Sequence, residues 1–566
     1  MPIENETKCP QRSRAPRVGR AGQRKIVGDY RAGRTSGAVS QRQYATMTGI
    51  PRTTLQHWMR RTASPGIEAE ISAFFETPAG VVLLQRILLA AHLAVCWMGA
   101  GGIRLVCLFV TVAGLGPFIA NSYGAQHGMA AEIQAALVEF GTVERARLAA
   151  AMPARKITLC EDETFLKEGI CLVAVEPVSG FVVLEEFAER RDAATWKAVV
   201  DHATEGMPVE VVQIASDEAK ALIRHAVDVG AHHSPDLFHV QHEICQAVSL
   251  PLHNRRSRAE DEVGKATAAL ELQARQRDAY RSARHGPGRP PAWDVRVHEA
   301  ETVLAAARAA AAAAAEDWVG WRAHMRTVGD AYHPYDLASG ARQSPEVLSA
   351  KLHTAFTGLR EIAGAAGLSE RAHAGIEKAA RVVPKMVATV TFYEARVERR
   401  LEGLGLPPDQ DTRLRDLLIP AAYLDRVAKR RPPSERAAID DVARRLRRDA
   451  SSHISAKEED EAQLHRIAAL CADEFQRSSS CVEGRNGRLS QYQHALRQLN
   501  PAKQAALTVV HNYLATRPDG TTAAERFFGV PPRDPIEYLL AHVSVPARPA
   551  KPRTLRKNVP PLQATK

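Results

Sequence analysis

Three carboxylates stand where a divalent cation could be gathered. Asp162 closes the apolar run KITLCEDET, Asp217 closes VEVVQIASDEAK, and Glu483 lies in SSSCVEGRNGRL, near the start of an expected helix. Two Asp at strand ends and a Glu on a late helix suit a pair of metal ions about 3.5–4 Å apart. Such a pair activates an attacking oxygen and stabilises a leaving oxygen in phosphoryl transfer. Mg²⁺ and Mn²⁺ favour oxygen ligands, so carboxylates are the residue type this chemistry requires.

The neighbours of these residues have other readings. Alternation along a strand puts Glu161 and Glu163 on the face opposite Asp162, with Glu163 the rival ligand. Asp217 also suits the N-cap of the helix AKALIRHA, a role compatible with metal binding. Four histidines, His232, His233, His239 and His242, fall close together, but no paired Cys accompanies them and the spacing fits no common zinc site. His239 is placed beside the carboxylates, contacting a phosphate or orienting a ligand, with a satisfied core histidine as the alternative.

The elements that must position these groups can be read from apolar patterning. ITLCEDE, GICLVAVEP and GFVVLEEFA are short runs rich in Val, Ile, Leu and Phe, and Pro177 and Gly180 mark a hairpin turn between the last two. DAATWKAVVDHA has helical spacing behind an Asp192 cap. VEVVQIAS predicts a fourth strand, AKALIRHAVDVG a helix stopped by Gly230, and SPDLFHV a fifth short strand.

The order of three strands, helix, strand, helix and strand resembles the ribonuclease H-like fold, which sets the first and fourth strands side by side. With it the chain resembles the DDE-type transposases of bacterial insertion sequences, Asp162, Asp217 and Glu483 matching the triad. Asp236-Leu-Phe-His239 is similar to the Asp-x-x-His signature that many of them carry on the strand after the second Asp. HNYLATRPDGTTAAERFFG, from His511 to Gly529, is similar to their closing segment. The resemblance covers roughly residues 155–245 and 475–530. It implies two Mg²⁺ (or Mn²⁺) ions, cleavage of double-stranded DNA at transposon ends, attack of the freed 3′-hydroxyl on target DNA, and a homo-oligomer assembled on DNA. A domesticated, non-catalytic DNA binder and a metal-dependent nuclease without strand transfer remain open alternatives.

The formal net charge is +11, concentrated at the ends: residues 1–61 carry +10 and residues 546–566 carry +6, leaving −5 for the rest. Basic ends on a mildly acidic body suit capture of phosphate backbones. Eight Cys without a CxxC pair, mostly in apolar runs, suit reduced thiols. The charged N-terminus has no apolar signal core, which predicts a cytoplasmic, nucleoid-associated protein. The apolar stretch 80–122 is interrupted by Gln85, Arg86, His92 and glycines, which predicts two buried helices joined by a Gly turn rather than a membrane span.

Residues 40–61 have a helix-turn-helix pattern, with Ala45 inside the first helix, Gly49 at the turn, and Ile50, Leu55 and Trp58 facing inward. The second helix begins near Pro51. Arg42, Arg52, Thr53, Thr54, Gln56, His57, Arg60 and Arg61 are the candidate DNA contacts, since Arg and Gln read base edges and Thr or Arg bind phosphate.

The separation of 266 positions from Asp217 to Glu483 exceeds any simple loop. Two long helical patterns flank HGPGRPP, predicting a helical hairpin, and helical patterns continue with breaks near Pro407–Pro408 and Pro432–Pro433. Trp318 and Trp321 are assigned to core packing there, with stacking on an unpaired base as the alternative. The expected organisation is a basic helix-turn-helix region (1–65), a helical domain (66–152), the first part of an α/β core (153–242), an all-α insertion (243–475), the part of the core carrying Glu483 (476–530), and a basic tail (531–566).

Overall fold

The computed structural model describes residues 18, 20–35, 39–61, 69–75, 77–451, 458–496 and 499–547. The basic segments expected before residue 18 and from residue 548 lie outside them, as do the side chains of Arg60 and Arg61. Among the described residues, five strands form one sheet and helices make up most of the remainder, an α/β core with a large α part.

The strands are β1 (Arg155–Leu166), β2 (Gly169–Glu176), β3 (Phe181–Ala188), β4 (Val209–Ser216) and β5 (His232–Pro235), arranged β3-β2-β1-β4-β5. β1, β2 and β3 form an antiparallel meander, and β4 and β5 run parallel to β1. The adjacency of the first and fourth strands follows the sequence expectation. β2 is buried along most of its length, as its run of apolar residues requires of a central strand. The β2–β3 turn is closed by the Glu176 carboxylate, which accepts from the amides of Val178 (3.2 Å) and Ser179 (2.8 Å), and Gly180 supplies φ +75° there.

Helix Ala193–Thr204 starts where Asp192 accepts from the Thr195 amide at 2.9 Å. Its Trp196 is fully buried and stacks on His225 of helix Lys220–Asp228, with ring centroids 6.1 Å apart. β5 ends at Pro235, whereas SPDLFHV was expected to be strand throughout. The Asp236 carboxylate accepts from the Phe238 amide at 2.9 Å and caps helix Leu237–Ser282, so Leu237, Phe238 and His239 are its first turn.

That helix and Trp293–Ala331 form the expected long hairpin, with residues 283–292 as its tip. Further helices, among them Pro345–Ala365, Val383–Glu402 and Ile419–Ala428, bury a core that includes Tyr332, Phe356, Tyr393 and Phe475. Trp321 belongs to this core and Trp318 packs against it, with ring centroids 5.1 Å apart.

The chain divides into two compact units, one of residues 146–490 and 518–531, the other of residues 1–145, 491–517 and 532–566. The segment 476–530, read from sequence as one piece of the core, is therefore split, because its middle part groups with the N-terminal helices. In that second unit, helix Gln41–Thr48 is capped by a reciprocal Ser40–Gln43 box and closed by Gly49 at φ +66°. Helix Arg52–Arg61 follows, and Ile50, Leu55 and Trp58 are buried as expected. A preceding helix, Arg20–Thr35, which the sequence pattern did not bring out, completes their core with Val27 and Tyr30.

The apolar stretch forms the two helices joined by a glycine-bearing turn (99–102) that were expected, but they are less buried than expected. Helix Pro78–His92 runs on through a π-helical turn, Leu93–Met98, without breaking at the polar residues. This continuous helix is long and apolar enough to cross a membrane (mean hydropathy 1.9), with 44% of that window buried. Val81, Val82 and Leu83 on it, and Leu105, Leu108 and Val112 on helix Ile103–Val112, are exposed rather than buried.

Gln213 joins three parts of the sheet unit. Its Oε1 accepts from Thr158 Oγ1 of β1 at 2.9 Å, and its Nε2 donates to Ser234 Oγ of β5 (2.7 Å) and to the Gln476 carbonyl (3.2 Å). Gln213→Leu leaves these buried groups unpaired and is expected to destabilise the protein by about 1–3 kcal/mol, measured by urea unfolding. An unchanged midpoint would show that this network contributes nothing.

Candidate metal centre

Strand register sets the first two carboxylates level with each other. Cys160 of β1 pairs with Ala215 of β4, so Asp162 and Asp217 each stand two residues beyond a matched pair of parallel partners. β1 itself continues past Asp162 to Leu166, paired only with β2, so Asp162 lies within its strand rather than at the end. Asp217 follows β4 directly, and its Oδ1 accepts from the Ala219 amide at 2.9 Å. Ala219 occupies the helix N-cap, so Asp217 orders the turn before the helix rather than capping it.

Glu161 and Glu163 face away from this site. Glu161 is fully buried, with its Oε1 3.3 Å from His225 Nε2, and burial pushes its carboxyl above the ordinary range despite that imidazole. Glu163 pairs with Arg191 at 2.7 Å and lies 3.5 Å from Trp196 Nε1. Glu218 turns to Lys385.

Helix Ser480–Leu496 brings the third carboxylate across the same face as Asp162, with Glu483 in its first turn. Two contacts hold it there. Asn486 Nδ2 donates to Asp162 Oδ2 at 2.8 Å, and the Arg485 guanidinium forms a two-pronged pair with Glu185 of β3, both side chains almost wholly buried. The registers Asp162↔Val173 and Val173↔Glu185 place those two acids in one row across β1, β2 and β3. Glu483 stands one helical turn before Asn486, on the same side of the helix.

His239 completes the cluster. Its Nε2 lies 3.9 Å from Asp236 Oδ2 and 3.9 Å from Glu483 Oε1, is buried, and has no hydrogen-bond partner among the described residues. Donor atoms of Asp236, His239 and Glu483 fall within 4.8 Å of one another. Burial raises the Asp162 carboxyl above its usual range, with the Asp217 charge adding to the shift. Glu483 is raised by burial and by the charges of Asp236 and Asp162, against the lowering effect of His239. Mutual repulsion is thus secondary to desolvation at both positions. A site of closely spaced, partly desolvated carboxylates is chemically fitted to a hard cation, which would satisfy acceptors that repel one another.

Asp162 stands level with Asp217 and within electrostatic range of Asp217, Glu483 and His239, whereas the ligand atoms that approach within 4.8 Å of one another are those of Asp236, His239 and Glu483. The other histidines are held apart: His232 meets Thr389 (3.1 Å) and stacks on Phe392, His233 meets Ser216 (3.0 Å), and His242 meets Gln246 (2.6 Å). Sequence reasoning did not single out Arg485 or Asn486, although the Glu-x-x-Asn spacing in VEGRNG puts Asn486 on the face of Glu483. Asp236 entered it only as part of a motif, yet it is a buried acid beside Glu483. In the closing segment, Phe527 stacks on Phe181 at 4.5 Å and Arg526 donates to the Ser179 carbonyl at 2.9 Å, so that segment braces the β2–β3 hairpin.

Of the candidate DNA contacts, Arg42, Arg52 and Thr53 are exposed, and Thr54 and His57 are partly so. Gln56 donates to Gln41 Oε1 at 3.1 Å and serves the packing of the two helices.

Residues 414–555, a segment that includes Glu483 and covers less than half of the chain, match a family of unknown function (DUF6399). No curated protein matches the chain.

Arg485→Met removes the guanidinium that pairs with the buried Glu185 carboxylate and is expected to cost about 3–5 kcal/mol in thermal or urea unfolding. Pairing it with Glu185→Leu should recover most of the loss. A double variant as unstable as the single one would mean that the guanidinium acts through other contacts.

Proposed function

We propose that this chain is a DNA transposase of the DDE type, built on a ribonuclease H-like core with an all-α insertion. The observation that carries this reading is the placement of Asp162 and Asp217 level with each other on the adjacent parallel strands β1 and β4, with the helix bearing Glu483, 266 positions downstream, tied to Asp162 through Asn486. The strand order β3-β2-β1-β4-β5, with a parallel β1–β4 pair, supports the fold assignment. The substrate is double-stranded DNA at the ends of a mobile element and at its target, and the protein acts as a homo-oligomer on that DNA.

Asp162, Asp217 and Glu483 would hold Mg²⁺ or Mn²⁺, two ions at full occupancy. Bound there, the ions would supply activation of an attacking oxygen and stabilisation of a leaving one. Asn486 fixes the rotamer of Asp162 through its amide, so the carboxylate is oriented before a cation arrives. Arg485 holds the helix bearing Glu483 to the sheet. His239, with its buried Nε2 between Asp236 and Glu483, is placed to donate to a phosphate oxygen or to a carboxylate.

DNA capture is assigned to the N-terminal helices. Helix Arg52–Arg61 follows a Gly49 turn and offers Arg52 and Thr53 to solvent, which suits a recognition helix in a helix-turn-helix.

Asp162→Asn keeps the shape of the side chain and removes its charge. In gel assays with Mg²⁺ and DNA flanking the coding region, strand cleavage and joining should fall together by about 10²–10³-fold or more, the scale of losing a principal electrostatic contact in a transition state. Binding of the same DNA should persist in this variant and weaken in Arg52→Ala. Nicking without joining by the wild type would instead favour the plain nuclease, and binding with neither step would favour the domesticated binder.

A further inference from the structure

A cavity of about 280 Å³ opens at the first turns of the two helices that carry His239 and Glu483, and the candidate metal ligands do not line it. Its walls come from the segment Phe475–Ser480, the first turn of helix Leu237–Ser282, and the end of helix Ile419–Ala428 with the residues after it. It is continuous in sequence with the site: Phe238 on its wall precedes His239, and Ser480 stands three residues before Glu483.

Four arginines line this cavity: Arg426, Arg430, Arg431 and Arg477. Arg431 is neutralised by Asp330 and Glu435. Arg426 lies 3.6 Å from Asp473 and donates to the carbonyls of Ala472 (2.7 Å) and Phe475 (3.1 Å). Arg477 donates to the carbonyls of Gly329 (2.6 Å) and Tyr332 (2.9 Å) and pairs with no carboxylate among the described residues. Among those same residues the Arg430 guanidinium has neither a hydrogen-bond nor an ion-pair partner, and it stands close enough to Arg426 to feel its charge.

Unpaired cations gathered at a partly desolvated cavity are costly unless an anion completes them. Guanidinium groups match the geometry of phosphate oxygens and present several donors at once. The cavity is near the lower end of the ~300–1,000 Å³ common for ligand sites, so it has room for more than an ion or a water. Leu237, Phe238 and Phe475 give it an apolar side against which a sugar can pack.

We propose that this cavity is a subsite for a backbone phosphate of the DNA strand being cut, adjacent to the phosphate at the carboxylates, with Arg430 and Arg477 as its ligands. The inference rests on the phosphoryl-transfer reading above and adds where the flanking nucleotide is held. It also gives the insertion a task, since Arg430 belongs to the helical part that separates Asp217 from Glu483.

The test is binding of a fluorescein-labelled duplex from the flanking DNA across a range of NaCl, with Ca²⁺ in place of Mg²⁺. Full-length wild type, Arg430→Gln and Arg430→Lys are compared. Arg430 lies in the turn after helix Ile419–Ala428 and is exposed, so Arg430→Gln should fold with an unchanged thermal midpoint. For one lost phosphate contact, the slope of log K against log [salt] should fall by about 0.9 in magnitude, with binding near 0.1 M salt weakened about 3–10-fold. Arg430→Lys should keep the slope with lower affinity, since the charge remains and the fork does not. If Arg430→Gln matches the wild type in slope and affinity while the wild type still cuts DNA, the subsite is wrong and the transposase reading stands. If the wild type binds no DNA, both fall. In that case, ³¹P line broadening of inorganic phosphate by wild type but not Arg430→Gln would mark a site for free phosphate compounds instead.

Discussion

The candidate site depends on a buried ion pair between Arg485 and Glu185. Neither partner carries out chemistry in the proposed reaction, yet together with the Asn486–Asp162 hydrogen bond they hold helix Ser480–Leu496 over β1, β2 and β3 at the level of Asp162. Several carboxylates approach one another on this face, and their repulsion works against the approach of the helix that brings Glu483. A guanidinium planted in the same row supplies the opposing attraction. Taking two charges out of water costs several kcal/mol per ion before their attraction is counted, so such a pair adds little net stability. What it contributes is position: a bidentate fork fixes both direction and distance. Asn486 then extends the same hold to Asp162 itself.

The helical insertion belongs to the same device. It leaves the sheet at Asp236 and returns at Gln476, and the two points are bonded: the Leu237 amide donates to the Arg477 carbonyl at 3.0 Å, and Ser479 Oγ donates to Asp236 Oδ2. Thr389, from within the insertion, meets both Ser234 (3.2 Å) and His232 (3.1 Å) of β5. The long helical segment between those points therefore closes on itself and sets the strand–helix corner bearing Asp236 and His239 against the start of the Glu483 helix. The aromatic core of Tyr332, Tyr393, Tyr423 and Phe475 stiffens that return and places Arg430 and Arg477 on the cavity beside it.

Much of the sheet was legible in the sequence, because its signals are local. Alternating and continuous apolar runs marked the strands, Asp192 and Gly180 marked a cap and a turn, and the order of elements made Asp162 and Asp217 neighbours. The errors also have local causes. SPDLFHV carries apolar residues that suit a strand or a helix, and the Asp236 cap decides for helix at Leu237. In Pro78–Met98 the expected burial fails at Val81, Val82 and Leu83, which are exposed, while Gln85 donates to the Leu540 (2.8 Å) and Val543 (2.6 Å) carbonyls and Arg86 pairs with Glu537. What could not be read at all were pairings set by tertiary register. Arg485 and Glu185 are 300 positions apart, and nothing in either neighbourhood marks them as partners.

The central proposal is that Asp162, Asp217 and Glu483 share divalent cations, with Asp236 and His239 close by. The most direct measurement is an electron paramagnetic resonance titration of the full chain with Mn²⁺, which reads the free ion directly. Wild type is expected to remove up to two equivalents of free Mn²⁺, and Asp162→Asn and Glu483→Gln should each lower that capacity. A chain that leaves Mn²⁺ free would contradict the proposal. So would binding indifferent to Asp162→Asn but abolished by His239→Ala, since that result would assign the ion to Asp236, His239 and Glu483 alone.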